Sequence, residues 1–129
     1  MKVVYSPNYY VDIGSHVFPM EKYGLIIELL LKNGIILKED IIEAQPITND
    51  GLLLVHTREY IDKLRRSALS HREQAILEIP YSLELFKAFK YFCGGTTIAA
   101  RRSLEDGCGI NVEEAFITPI LTMERASVF

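Results

Sequence analysis

Tryptophan is absent from this 129-residue chain, and cysteines, histidines and basic runs are all scarce. Each scarcity closes off a class of function. Cys93 and Cys108 stand apart without a Cys-x-x-Cys spacing, so the expectation is two reduced, packed thiols of a cytoplasmic protein. His16, His56 and His71 are far apart in sequence and make no metal-ligand spacing, so packing or solvent roles are expected for them. Basic residues are scattered, with Arg65-Arg66 and Arg101-Arg102 as the basic pairs, so no nucleic-acid footprint is written here. The longest apolar run, Leu25 to Leu31, is broken by Glu28 and is far below the ~20 residues of a membrane span. After Met1-Lys2 there is no apolar leader with a small-residue cleavage site, so neither secretion nor a membrane partner is expected.

What is present is apolar and nearly neutral. Forty-nine percent of the residues are hydrophobic and the net charge is -3, as in a single folded, slightly acidic domain. Val3-Val4-Tyr5-Ser6 is β-branched and aromatic before Pro7-Asn8 and predicts a buried strand entering a long loop that reaches Met20. From Glu21 to Lys32, Leu25, Ile26, Leu29 and Leu30 recur at helical spacing, and Asn33-Gly34 supplies a left-handed stop; a well-buried helix is expected. Ile41 to Ile47 predicts a second strand with Pro46 near its end, and Asn49-Asp50-Gly51 a turn. Thr57 can cap a helix over Arg58 to Leu64. Ser82 can cap a longer one with an apolar face of Leu85, Phe86, Phe89, Phe92 and Cys93 that runs to Glu105 and ends at Gly107. Gly94-Gly95 inside that helix implies close approach of a neighbouring element.

Gly109 to Val112 predicts a third strand, and three strands separated by helices imply a parallel α/β sheet. Beyond it, Glu113 to Phe129 has no clear period, cap or turn logic. The adjacent carboxylates Glu113 and Glu114 would point to opposite faces of a strand, which disfavours shared acid/base work. Gly107-Cys108-Gly109 precedes a strand instead of joining a strand to a helix, so a phosphate loop is not implied.

The order of several short motifs carries more than any one of them. Tyr5-Ser6-Pro7 with His16-Val17-Phe18-Pro19, then Val55 to Ile61, then Gly94-Gly95-Thr96-Thr97 ahead of Gly109-Ile110-Asn111-Val112, resembles the bacterial, class IV-like branch of the histone deacetylase family of zinc deacetylases. The resemblance covers most of the chain. It implies a three-layer α/β fold of the arginase/deacetylase type, of which 1–112 would be the amino-terminal part, about three parallel strands with their helices.

Family members follow the third strand with Gly-Gly-Gly-Phe-His-His-Ala, then a proline and Asp-His-Gly-Glu-Gly-Phe-Cys; this chain reads Glu113-Glu114-Ala115-Phe116-Ile117-Thr118-Pro119 instead. The genetic code relates the two. If Val112 to Pro119 is encoded GTG GAG GAG GCT TTC ATC ACG CCT, the string read from the third base of the Val112 codon gives Gly-Gly-Gly-Phe-His-His-Ala. Continuing through Ile120 to Ser127 in that frame permits Tyr-Pro-Asp-His-Gly-Glu-Gly-Phe-Cys. A one-base deletion near the Val112 codon is therefore inferred, with 113–129 as an out-of-frame tail.

The resemblance implies zinc held by an Asp-x-His pair and a further Asp beyond the histidine pair, positions this chain does not have, so no metal ligands, no catalytic residues and no cofactor are expected in it. The positions that match the family's substrate rim are Glu78, which with Ile79-Pro80 is similar to an Asp-x-Pro segment whose carboxylate grips the substrate backbone, and the loop carrying His16, Pro19 and Met20, where Pro and Met would line the acyl channel. A solvated carboxylate at 78 and plain packing of the loop are equal readings. An inactive piece of a deacetylase, a full-length amidohydrolase made from a repaired gene, and a small interaction module all remain in view. With half a domain present, an open sheet edge and bare apolar helix faces predict self-association.

Overall fold

The computed structural model describes residues 1–14, 19–77 and 79–113. The β-branched pair Val3-Val4 places strand β1 (Val3–Tyr5) in the middle of a parallel sheet, with β2 (Ile41–Glu43) on one side and β3 (Ile110–Asn111) on the other. Val3 lies beside Ile41 and Ile110, and Val4 beside Ile42 and Asn111. Alternation along β1 then sorts the layers. Val3 packs with Ile27 and Ile36 on the face covered by helix α1 (Lys22–Lys32), whereas Val4 joins the larger cluster built on Phe89 and Phe92 of helix α5 (Leu83–Asp106). Helix, sheet and helix make the α/β layering that the sequence implies.

The expected helix signals operate as hydrogen bonds. Asn33 and Gly34 end α1, Gly34 with φ of 66°. Thr57 Oγ1 accepts from Tyr60 N at the start of α3 (Arg58–Arg65), Ser82 Oγ accepts from Leu85 N at the start of α5, and Gly107 with φ of 81° closes α5. The paired glycines of α5 let neighbours approach its backbone: a Cβ on Gly94 would overlap the backbone carbonyl oxygen of Gln45, and one on Gly95 the side-chain hydroxyl of Tyr9.

Several expectations are corrected. Asn49-Asp50-Gly51 is not an isolated turn but part of helix α2 (Asn49–Leu53), because Thr48 Oγ1 accepts from Gly51 N and caps it. The second strand stops at Glu43, short of Ile47; Ile47 N instead donates to Lys90 O of α5. A further helix, α4 (His71–Leu77), begins at a reciprocal box in which Glu73 N donates to Ser70 Oγ and Ser70 N to Glu73 Oε2. Helix α1 buries Tyr23 and Ile27, while Leu25 and Leu29 are 60% and 58% exposed. Cys93 is half-buried but Cys108 is exposed, so only one of the two thiols is packed.

Candidate functional site

In parallel α/β sheets the carboxyl ends of the strands are where binding groups gather. Here β1 leads into a 3₁₀ turn, Pro7–Tyr9, capped by Ser6, whose Oγ accepts from Asn8 N and donates to Glu43 Oε1 at 2.9 Å. The turn delivers Tyr9 into the core, where its ring meets those of Tyr5, Tyr23 and Phe92 edge-on at centroid distances of 5.3 to 6.0 Å. Its hydroxyl donates to Asn111 Oδ1 at 2.7 Å, and Asn111 Nδ2 donates to Thr96 Oγ1 at 3.2 Å. One hydrogen-bonded chain thus ties the end of β1, the end of β3 and the glycine-bearing turn of α5.

Glu113 follows at the exit of β3 and is 1% exposed. Its charge reaches three neighbours. Burial first, and the Glu113 carboxylate second, push the Tyr9 and Tyr23 hydroxyls well above the usual tyrosine range. The same two causes push the Cys93 thiol up to about 11, so at neutral pH it is protonated and a poor nucleophile.

The residues singled out from the sequence are not brought together by what is described. Met20 is buried in the main cluster beneath the tyrosines. Pro19 is exposed, its carbonyl accepting from Lys22 N. His16, Glu78 and the tail 114–129 lie outside the described residues. His56 stacks obliquely against Tyr60 at 5.6 Å, and His71 is exposed at the start of α4. The Tyr9, Asn111 and Thr96 cluster was not anticipated; its one sequence signal is a lone amide between Ile110 and Val112 in an apolar strand.

A parallel sheet between helices, with aromatic and amide groups at its carboxyl edge, defines an α/β protein. The sequence profile of the histone deacetylase domain matches residues 16–118, and the chain belongs to the histone deacetylase family. It is 33% identical over 110 residues to an uncharacterized protein of Picosynechococcus sp., covering 84% of this chain and 37% of that one. It is 25% identical over 126 residues to histone deacetylase 2 of Arabidopsis thaliana, covering 90% of this chain and 33% of that one. The chain thus spans about a third of the length of these curated relatives.

The family is generally zinc-dependent, and a zinc centre needs three or four convergent nitrogen, sulfur or oxygen donors. Among the described residues no three of histidine, cysteine, aspartate and glutamate come together. The described residues alone therefore supply no such set of donors. Nor is any described helix long and apolar enough to cross a membrane.

Proposed function

We propose that this chain is a catalytically silent piece of a deacetylase domain, whose parent hydrolyses the amide of an acetyl-lysine or acetylated amine with zinc, and that a dropped base near the Val112 codon exchanged the parent's histidine-bearing loop for 113–129. The codon reading supports it, since each shifted position admits the family's residue. The observation that carries it is Glu113. A carboxylate stands 1% exposed against Tyr9, Tyr23 and Cys93 at the position where the shifted frame supplies glycine. Moving a carboxylate into such surroundings is costly, and glycine there would bring no side chain at all. The domain match continues to 118, six residues beyond Val112, so the gene decides.

Sequencing across Val112 tests the reading directly: codons that spell Gly-Gly-Gly-Phe-His-His-Ala in the shifted frame are expected, and any other codon choice overturns it. The protein supplies the second arm. As this chain it should hold no stoichiometric zinc and hydrolyse no acetyl-lysine substrate, whereas a product made after one base is restored to the Val112 codon should gain both.

A second reading, self-association, rests on apolar side chains left in water. Leu25 and Leu29 form one exposed pair on α1, and Leu54, 87% exposed, stands beside Val55 after α2. The sheet ends in β2 on one side and β3 on the other. Association of copies through these faces and edges would cover them. Sedimentation at micromolar concentration should show a dimer or larger species; a dilute monomer would count against it.

A further inference from the structure

Between the first turn of α1 and the start of the chain lies an open cleft of about 290 Å³ whose walls combine two chemistries. Tyr5, Tyr10 and Tyr23 give it three aromatic walls, and Glu21 and Glu28 add carboxylates at its border. Met20 and Leu25 supply aliphatic surface between them. Gly24 keeps the helix side low, since even a Cβ there would only touch the Tyr5 hydroxyl at 3.5 Å.

Carboxylates set the potential at the Tyr5 wall. Burial, then Glu43, then Glu28 raise the Tyr5 hydroxyl above its ordinary range, so Glu28 and Glu43 both project negative potential onto that wall. Aromatic faces with carboxylates beside them attract organic cations by quadrupole and charge together. The Tyr23 ring already accepts a cation, the Lys22 ammonium lying 5.2 Å from its centroid. Tyr23 is 1% exposed and its hydroxyl lies against Glu113, so the open aromatic surface of the cleft is that of Tyr10, 52% exposed, and the half-buried Tyr5.

We propose that the cleft of Tyr5, Tyr10 and Tyr23 with Glu21 and Glu28 binds a small alkylammonium ion, its aliphatic body against Met20 and Leu25 and its charged head between the tyrosines and the two carboxylates. The ammonium group can belong to a free amine or to a lysine side chain. The inference is independent of the reading frame after Val112, since every residue it uses precedes that position.

The test is a nuclear magnetic resonance titration of the full chain with butylammonium chloride and, in a separate arm, with a tripeptide capped at both ends and carrying one central lysine. Binding should move the signals of Tyr10, Tyr23 and Leu25, weaken with added salt, and fall about three-fold to ten-fold in Glu28→Gln and in Tyr10→Ala, a span set by the usual strength of cation–aromatic contacts. Both side chains are exposed, so these variants keep the fold, which the unchanged spectrum of the core confirms. Saturation by butylammonium alone assigns a free amine, and saturation by both assigns the shared group. Equal binding of butanol or butyrate, indifference to added salt, or undiminished binding in Glu28→Gln would overturn the proposal.

Discussion

Tyr9 and Asn111 are 102 positions apart in the chain, and the Tyr9 hydroxyl donates to the Asn111 side-chain oxygen at 2.7 Å. That bond sits where β1 and β3 end together, and Asn111 is held on its other side by Thr96. Tyr9→Phe keeps the ring contacts and removes only the donor. The expected cost is about 1–3 kcal/mol, because the amide loses a partner inside the core. Urea unfolding of Tyr9→Phe beside Thr96→Val would measure it; a Tyr9→Phe midpoint equal to that of the parent chain would show that the bond contributes nothing.

Gly94 offers a harsher probe. A methyl group there would collide with the Gln45 carbonyl, which belongs to backbone and cannot swing aside. Gly94→Ala should therefore destabilise the protein by about 1–3 kcal/mol through overpacking, although alanine is the better helix former. Ala100→Gly, at an exposed position of the same helix, serves as the control for propensity alone and should cost about 1 kcal/mol.

The two thiols should separate cleanly in alkylation. With its thiol raised to about 11, Cys93 is only about a thousandth thiolate at pH 8, and it is half-buried on α5. Cys108 is exposed. Iodoacetamide at pH 8 followed by mass spectrometry should modify Cys108 first, with Cys93 reacting only as the protein unfolds; equal rates would mean that α5 opens readily at that point.

Alkali should unfold this protein for a definable reason. Tyr9 and Tyr23 hold their protons in the fold above the ordinary tyrosine value of 10.0, so between that value and their folded values the native state binds more protons than the unfolded chain. Stability is then fully present below pH 10 and falls as pH rises beyond it, by up to roughly 1.4 kcal/mol per pH unit for each such tyrosine. Tyr23→Phe should flatten that decline, as thermal melts between pH 8 and 11 would reveal.

Local chemistry made much of this fold readable in advance. Thr57, Ser82 and Gly107 mark helix ends through bonds to their nearest neighbours, so their effect is written in a few adjacent residues. The Ser70-x-x-Glu73 box that starts α4 is an equally local signal. Helix α1 could not be oriented from periodicity, because Tyr23, Leu25, Ile26, Ile27, Leu29, Leu30 and Leu31 leave nearly every side apolar; the sheet selects Tyr23 and Ile27. Asn49-Asp50-Gly51 misled because its turn residues are overridden by the Thr48 cap. The cluster of Tyr9, Tyr23, Asn111 and Glu113 was illegible for a different reason: its members come from opposite ends of the chain, and only strand pairing brings them together.

The strand made first occupies the centre of the sheet, with Ile41 as one neighbour of Val3 and Ile110 as the other. On a ribosome, Val3 to Tyr5 must therefore wait, with one flank bare, until β3 has emerged. Closing so large a loop slows folding, and the delay leaves Val3 and Val4 open to capture by another nascent copy or to rescue by a chaperone.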